Sequence, residues 1–215
     1  TVAGNVGVEM TSLNALKLVE FFGVQEQVPV AAGAKMPLLK PYEDTSYVHG
    51  ESGMPGWDFP AVTTQPVAQH AVEAMRESLM QSPDQLTLVI TGAFTNVALL
   101  FRMYPEVKAK IDRLVVMSGS LTGGNMSSVA EFNIYTDPHA AKIVFEAGLP
   151  IVVIGLDVTM KALLSYDNIA KLSDVNESGA MLQALLQHYA DNEATGKPMH
   201  DVNTLFYLAH PEAFT

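Results

Sequence analysis

Four runs of nearly continuous apolar residues punctuate the chain: residues 28–33 (VPVAAG), 86–92 (LTLVITG), 113–119 (RLVVMSG) and 149–159 (LPIVVIGLDVT). A strand with one wet face alternates apolar and polar residues. Runs without alternation fit strands covered on both faces, as in a parallel sheet. Between them the period changes. In residues 67–82, Ala68, Val72, Met75 and Leu79 recur at helical spacing, and residues 95–111 and 137–148 form helical stretches after the next two strands. Asp137 followed by Pro138 reads as a helix start and Gly148 as its C-terminal end. Residues 178–197 and 200–211 are helical again. The alternation predicts an α/β fold: a mostly parallel central sheet with helices on both faces, Rossmann-like, in one domain over residues 1–215. Residues 34 to about 66 carry no period, and an irregular stretch of that length in a compact domain is usually functional.

Composition narrows the partners. The chain has 215 residues, 48% of them hydrophobic, enough for one well-buried domain. Its 23 acidic residues against 12 basic ones give a net charge of -11, which argues against a nucleic-acid backbone or an anionic membrane as partner. With no cysteine there is no disulfide framework and no thiolate chemistry, which fits a reducing compartment. No apolar run approaches the ~20 residues that span a bilayer, and no signal peptide is visible. The opening TVAGN reads as the end of a strand, and HPEAFT stops as abruptly. The expectation is a fold incomplete at both ends.

In parallel sheets, ligands gather at the carboxyl ends of the strands. The polar residues there are Asn5 after TVAG, Thr95 and Asn96 after LVITG, and SLTGGNMSSVAEFN after VVMSG; the long irregular stretch adds His49. Glu131-Phe132-Asn133 has two readings, a loop with a helix cap or a pocket that grips a polyol. Common cofactor motifs fail: GSLTGGN does not spell G-x-G-x-x-G, TGKP is no P-loop, and no G-x-S-x-G elbow occurs. His200-Asp201 is either an ordinary helix start favourable to the helix dipole, or a pair whose neighbours point apart, one to a substrate and one to a metal. His49 reads equally as a solvated loop residue or a functional one. His70, His139 and His210 read as structural, and His188-Tyr189 as a helix end that could serve a lid.

TVAGN, HGESGM, TGAFTN, GGNMSSVAEFNIYTDPHAA, GLDVT and MHD occur in this order, mostly at strand ends. Together they make the chain resemble the inosine-uridine preferring nucleoside hydrolase family across essentially its whole length. HGESGMPGWDF and the MHD to PEAFT end bring it nearest to bacterial members that accept both purine and pyrimidine nucleosides.

The resemblance implies hydrolysis of the N-glycosidic bond of ribonucleosides, with Ca²⁺ at the bottom of the pocket. It implies Asp201 and the Thr91 carbonyl as calcium ligands and His200 as the general acid for the leaving base. For the substrate it implies Asn133 on the ribose hydroxyls, Asn125 and Glu131 on the 5′-hydroxyl, and Phe132 as a pocket wall. Asn5 would lie beside the ribose, Met117 under it, and His49 near the base. A cytoplasmic homodimer or homotetramer acting on ribonucleosides, with no nucleic-acid or membrane partner, completes the expectation. The chain also departs from the family. The acidic D-x-D-P-G-x-D-D motif, which supplies further calcium ligands and the general base, does not occur between Thr1 and Thr215. The expectation is that the N-terminal metal-binding strand and the C-terminal strands lie outside these residues. Two other readings remain open here: a non-catalytic nucleoside- or ribose-binding protein on the same scaffold, and a metal-dependent phosphohydrolase built on His200-Asp201.

Overall fold

The computed structural model of the protein describes residues 1–43, 50–189 and 193–214. Strands β1 (Leu86–Ile90), β2 (Ile111–Met117) and β3 (Ile151–Ile154) form a parallel sheet in the order β1-β2-β3. Leu88 lies opposite Leu114, and Val116 opposite both Ile90 and Val153. The central strand has no wet face. Leu114, Val115 and Val116 are all fully buried, which is why its sequence does not alternate.

One face of the sheet packs against α2 (Ala71–Gln81), α3 (Thr95–Met103) and α5 (Pro138–Phe145). Ile90, Leu114 and Val116 meet Val72, Leu79, Leu100, Phe101 and Val144 in one apolar cluster. Burying each such side chain contributes about 1.5–3 kcal/mol. Three buried alanines, Ala98, Ala140 and Ala141, lie in the same cluster and suit the close packing of α3 on α5. The opposite face carries α9 (Val202–Ala209), packed on β2. The α/β arrangement with helices on both faces is therefore as the sequence predicts.

The start of α5 is also as predicted. Asp137 caps it by accepting the Ala140 N–H at 3.0 Å, and Pro138 occupies the first turn. Gly148 follows with φ +79°, the left-handed conformation that glycine adopts without a Cβ penalty.

Six expectations change. Residues 1–4, expected to end a strand, form none, and the helix expected over 178–197 ends at His188, with Gly196–Pro198 a strand instead. Residues 28–33 are extended but form no ladder strand; the one bridge there pairs Ala31 with Val67. Their backbone oxygens are shared out: Val30 O accepts from Val67 N–H and Ala32 O from Ala71 N–H, while Ala34 just beyond accepts from Ala3 N–H. The run at 149–159 is a strand only to Ile154. Gly155 then turns the chain, and Leu156–Thr159 is a helical turn, α6. The helical stretch 95–111 breaks after Met103, because Pro105 disfavours helical backbone at Tyr104, and Pro105–Lys110 continues as a 3₁₀ helix. Finally, α1 (Val8–Phe21) arises where the apolar spacing gives little sign of it, since its buried face includes Ser12. Further along, β4 (Leu163–Ser165) pairs antiparallel with β5 (Gly196–Pro198), and α7 (Tyr166–Ala170) and α8 (Glu177–His188) lie between them in the chain.

Candidate active site

The site is built on the return of the chain after β2. Gly119 has φ +68°, and its N–H donates to Glu131 Oε2 at 2.9 Å. At Gly124 any Cβ would sit 2.2 Å from the Ala130 carbonyl oxygen, so only glycine allows the loop to double back there. The fold-back delivers Glu131 to the N-terminus of a short helix, α4 (Phe132–Thr136). Glu131 is 2% exposed and accepts a second and third N–H, from Asn133 at 2.9 Å and Ile134 at 3.2 Å. Burial pushes its carboxyl above the ordinary range, against the pull of these amides and of the His200 charge.

The helix-cap reading of Glu131-Phe132-Asn133 therefore holds. Glu131 is a helix cap. It also holds the loop in place, and three amides occupy most of the roughly four acceptor positions of a carboxylate. Asn125, exposed in the loop, accepts the Phe132 N–H at 2.9 Å through Oδ1, so its NH₂ group is what it can offer a hydroxyl. Asn133 is buried and donates from Nδ2 to the Met117 carbonyl at 2.9 Å. That bond fixes its side chain against the end of β2 and leaves Oδ1 as acceptor. Met117 is buried beside it and Phe132 half-buried.

His200 and Asp201 lie where β5 passes into α9. The His200 Nδ1 is 2.8 Å from Thr159 Oγ1, and Thr159 is wholly buried on α6. Asp201 holds the N-cap position of α9, but its carboxylate makes no capping bond. The ordinary reading of His200-Asp201 as a helix start is thus met, with Asp201 placed by charge near the helix N-terminus and not by a capping hydrogen bond. Asp201 is exposed, yet protein crowds its carboxyl, and the loss of surrounding water penalises the charge. This desolvation raises the carboxyl pKa to about 6; the His200 charge opposes the rise and the Glu131 charge adds to it. Glu131, His200 and Asp201, up to 70 residues apart in sequence, thus lie within reach of one another's fields.

The remaining candidates fall at the same strand ends or elsewhere. Thr91 is exposed immediately after β1, and Asn5 is exposed in the turn before α1. His49 lies outside the described residues. Thr95 and Asn96 are structural: Thr95 donates to buried Asp137 at 2.7 Å, and Asn96 bridges Thr1 O and Ala34 N–H at 2.8 Å each. His70 caps α2, while His139 and His210 are exposed. His188 ends α8 against the loop, where a Cβ on Gly56 would sit 2.4 Å from its Nδ1. An apolar cavity of about 180 Å³ lies there, lined by Met54, Pro55, Leu182 and Leu186 among others. Thr159 was not anticipated as a partner of His200; a threonine at the end of an apolar run reads as strand.

A carboxylate and a main-chain carbonyl are hard oxygen donors of the kind calcium prefers, but calcium takes six to eight. Among the described residues no group of three or more His, Asp or Glu side chains is gathered as a metal centre. The Asp201 carboxylate and the Thr91 carbonyl are of the donor type that such a shell uses.

A parallel α/β sheet with amide and carboxylate groups converging at its strand ends defines a small-molecule site of the nucleotide- and sugar-handling kind. Over residues 1–215 the chain matches the model of the inosine-uridine preferring nucleoside hydrolases, and it belongs to that family of enzymes. It is 50% identical to the non-specific ribonucleoside hydrolase RihC of Klebsiella pneumoniae and to that of Salmonella paratyphi B; each match covers 100% of this chain and 70% of the relative. Among solved structures it is similar to a purine-preferring ribonucleoside hydrolase from Gardnerella vaginalis, with a TM-score of 0.90, 30% identity and 97% of this chain on 70% of that one. A plant nucleoside hydrolase gives a TM-score of 0.91 at 29% identity, over 99% of this chain and 69% of the other.

Proposed function

We propose that the protein cleaves the N-glycosidic bond of ribonucleosides with water, releasing free base and ribose, and that it accepts both purine and pyrimidine bases. The observation that carries the reading is the convergence of Asn133 and Glu131 from one segment with His200 and Asp201 from another at one end of the sheet. The breadth for bases is supported by the naming of the half-identical relatives.

A ribose presents hydroxyls that each donate and accept. Asn133 Oδ1 accepts from a ribose hydroxyl, the Asn125 NH₂ donates to the 5′-hydroxyl, and Glu131 offers that hydroxyl its remaining acceptor position. Met117 lies under the sugar, Phe132 walls the site from water, Asn5 lies beside the ribose, and His49 serves the base. Bond cleavage leaves positive charge on the sugar and sends an electron pair to the base. The negative fields of Glu131 and Asp201 favour the first, and a proton from His200 serves the second. Asp201 and the Thr91 carbonyl are the chain's contribution to a Ca²⁺ shell, with the ribose diol and water as further oxygen donors. When bound, the ion supplies positive charge and fixes the diol. The reading carries with it a cytoplasmic homodimer or homotetramer, in keeping with a cysteine-free chain.

The test is to incubate the full-length protein and its Asn133→Ala variant with inosine and uridine and assay free ribose. Wild type should release ribose from both. The variant should lose ~10-fold or more in kcat/KM, as a buried polar contact worth ~1–3 kcal/mol is removed. Binding without ribose release would favour a non-catalytic ribose-binding protein instead.

A further inference from the structure

Thr159 is wholly buried at the end of α6, and its backbone is fully engaged. Its N–H donates to Gly155 O at 3.0 Å, and its carbonyl accepts the Ala162 N–H at 3.1 Å. The turn is also stitched to the corner that serves Glu131: the Leu156 N–H donates to Gly119 O at 3.0 Å, while the Gly119 N–H donates to Glu131. His200 arrives just after β5, whose ladder with β4 is extended by a bond from the Met199 N–H to Ala162 O at 2.9 Å. Main-chain bonds therefore hold both partners of the 2.8 Å contact between Thr159 Oγ1 and His200 Nδ1. Among the described residues, that ring nitrogen is the one hydrogen-bond partner of the Thr159 hydroxyl.

A buried hydroxyl hydrogen without an acceptor is costly, and an imidazole takes the tautomer that its hydrogen-bond partner imposes. If Nδ1 carried a proton it would donate to Oγ1, and the hydroxyl hydrogen would have no acceptor among the described residues. With Nδ1 bare, the hydroxyl donates to it and both groups are satisfied. We propose that Thr159 is a positioning residue that holds the neutral His200 ring in the tautomer with its proton on Nε2. A carboxylate in this place, as in a hydrolase triad, would hold the proton on Nδ1 and leave Nε2 a base. The hydroxyl does the reverse and leaves Nε2 a donor. The proposal rests on the assignment of His200 to the leaving base. On that assignment Nδ1 is already engaged, so Nε2 is the atom that must bring an N–H to the base. Thr159 acts only through the ring.

The experiment compares the full-length protein with Thr159→Val, which keeps the shape and removes the hydroxyl, and Thr159→Ser, which keeps the hydroxyl. Nitrogen NMR of the imidazole rings, at a pH above the usual histidine range and assigned with His200→Ala, reads the tautomer directly. Wild type and Thr159→Ser should show a bare Nδ1 and a protonated Nε2, and Thr159→Val should lose that preference. The kinetic comparison uses inosine and p-nitrophenyl riboside, whose leaving group departs without a proton. Thr159→Val should lower kcat on inosine about tenfold, the shift that one hydrogen bond of ordinary strength sustains, and kcat on the nitrophenyl substrate by less than about twofold. Thr159→Ser should restore the inosine rate. A proton on Nδ1 in the wild type overturns the proposal. So does an inosine kcat that is unchanged in Thr159→Val, or that falls in step with the nitrophenyl substrate. His200→Ala separates the two readings: if it slows both substrates alike, the assignment of His200 to the base fails, and the ring spectrum still decides the tautomer.

Discussion

His200 and Asp201 are neighbours in the chain with different surroundings. Thr159 engages the His200 ring at Nδ1, and the proposed function gives that ring the proton for the leaving base. His200→Ala should slow inosine cleavage by about 10²–10⁴-fold, the usual contribution of a general acid. It should slow p-nitrophenyl riboside far less, because nitrophenolate leaves without a proton. Equal losses on both substrates, measured as kcat, would remove the acid role. Asp201 illustrates the opposite tension. Its carboxyl pKa is raised in the folded chain, from an ordinary 3.8 to about 6, so the folded state binds the proton more tightly than the unfolded one. The contribution of Asp201 to stability is then fully present below about pH 4 and is lost as pH rises through about 6, where the ionised group is the costlier form. Asp201→Asn should accordingly raise the thermal midpoint at pH 7 in chelator, show no such gain near pH 3.5, and abolish the stabilisation that calcium gives. A midpoint at pH 7 equal to or below that of wild type would contradict the desolvated carboxylate.

Helix α4 is too short to hold itself, and it exists because Glu131 satisfies its first amides. This separates two residues that the family resemblance treats alike. Glu131→Ala should cost about 2 kcal/mol or more in urea denaturation, since it strands buried N–H groups, and should damage ribosides and 5′-deoxyribosides together. Asn125→Ala, in an exposed loop, should leave stability within about 0.5 kcal/mol and penalise ribosides more than 5′-deoxyribosides. If Asn125→Ala treats both substrates alike, it does not read the 5′-hydroxyl. The cap at Asp137 and the polar cluster at 131–133 were legible in the sequence, because caps and pocket loops use local signals. The Thr159–His200 contact was not, since it joins residues 41 positions apart whose types carry no mark of their partners.

At the scale of the molecule, α9 leaves Leu205 and Phe206 exposed at 59% and 46%, with Val202 and Leu208 beside them in sequence and also exposed. Across the sheet, Val89 and Val153 are open as well. Exposed apolar side chains concentrated on one helix favour association. A protein of these 215 residues alone should sediment as a concentration-dependent oligomer, and Leu205→Glu with Phe206→Ser should shift it toward monomer. The same sample should bind Ca²⁺ weakly in calorimetry, with Kd in or above the ~10⁻⁴–10⁻³ M range of carboxylate-poor sites. A monodisperse monomer at all concentrations would contradict the first expectation, and tight calcium binding the second.

By itself the sequence determined the fold class and the family. Unbroken apolar runs force strands to be buried on both faces, and a set of short motifs in a fixed order is specific enough to name relatives. It also determined which strand ends carry polar groups. Only the tertiary structure decided what those groups do to one another. It turned Thr95 and Asn96 from ligand candidates into pins, spent three of Glu131's acceptor positions on the backbone, and ended the strand at Ile154 so that Thr159 could meet His200. The physical reason is one of range. Periodicity and capping are set within a turn or two of chain, whereas hydrogen-bond partners, burial and electric fields depend on what folding brings alongside.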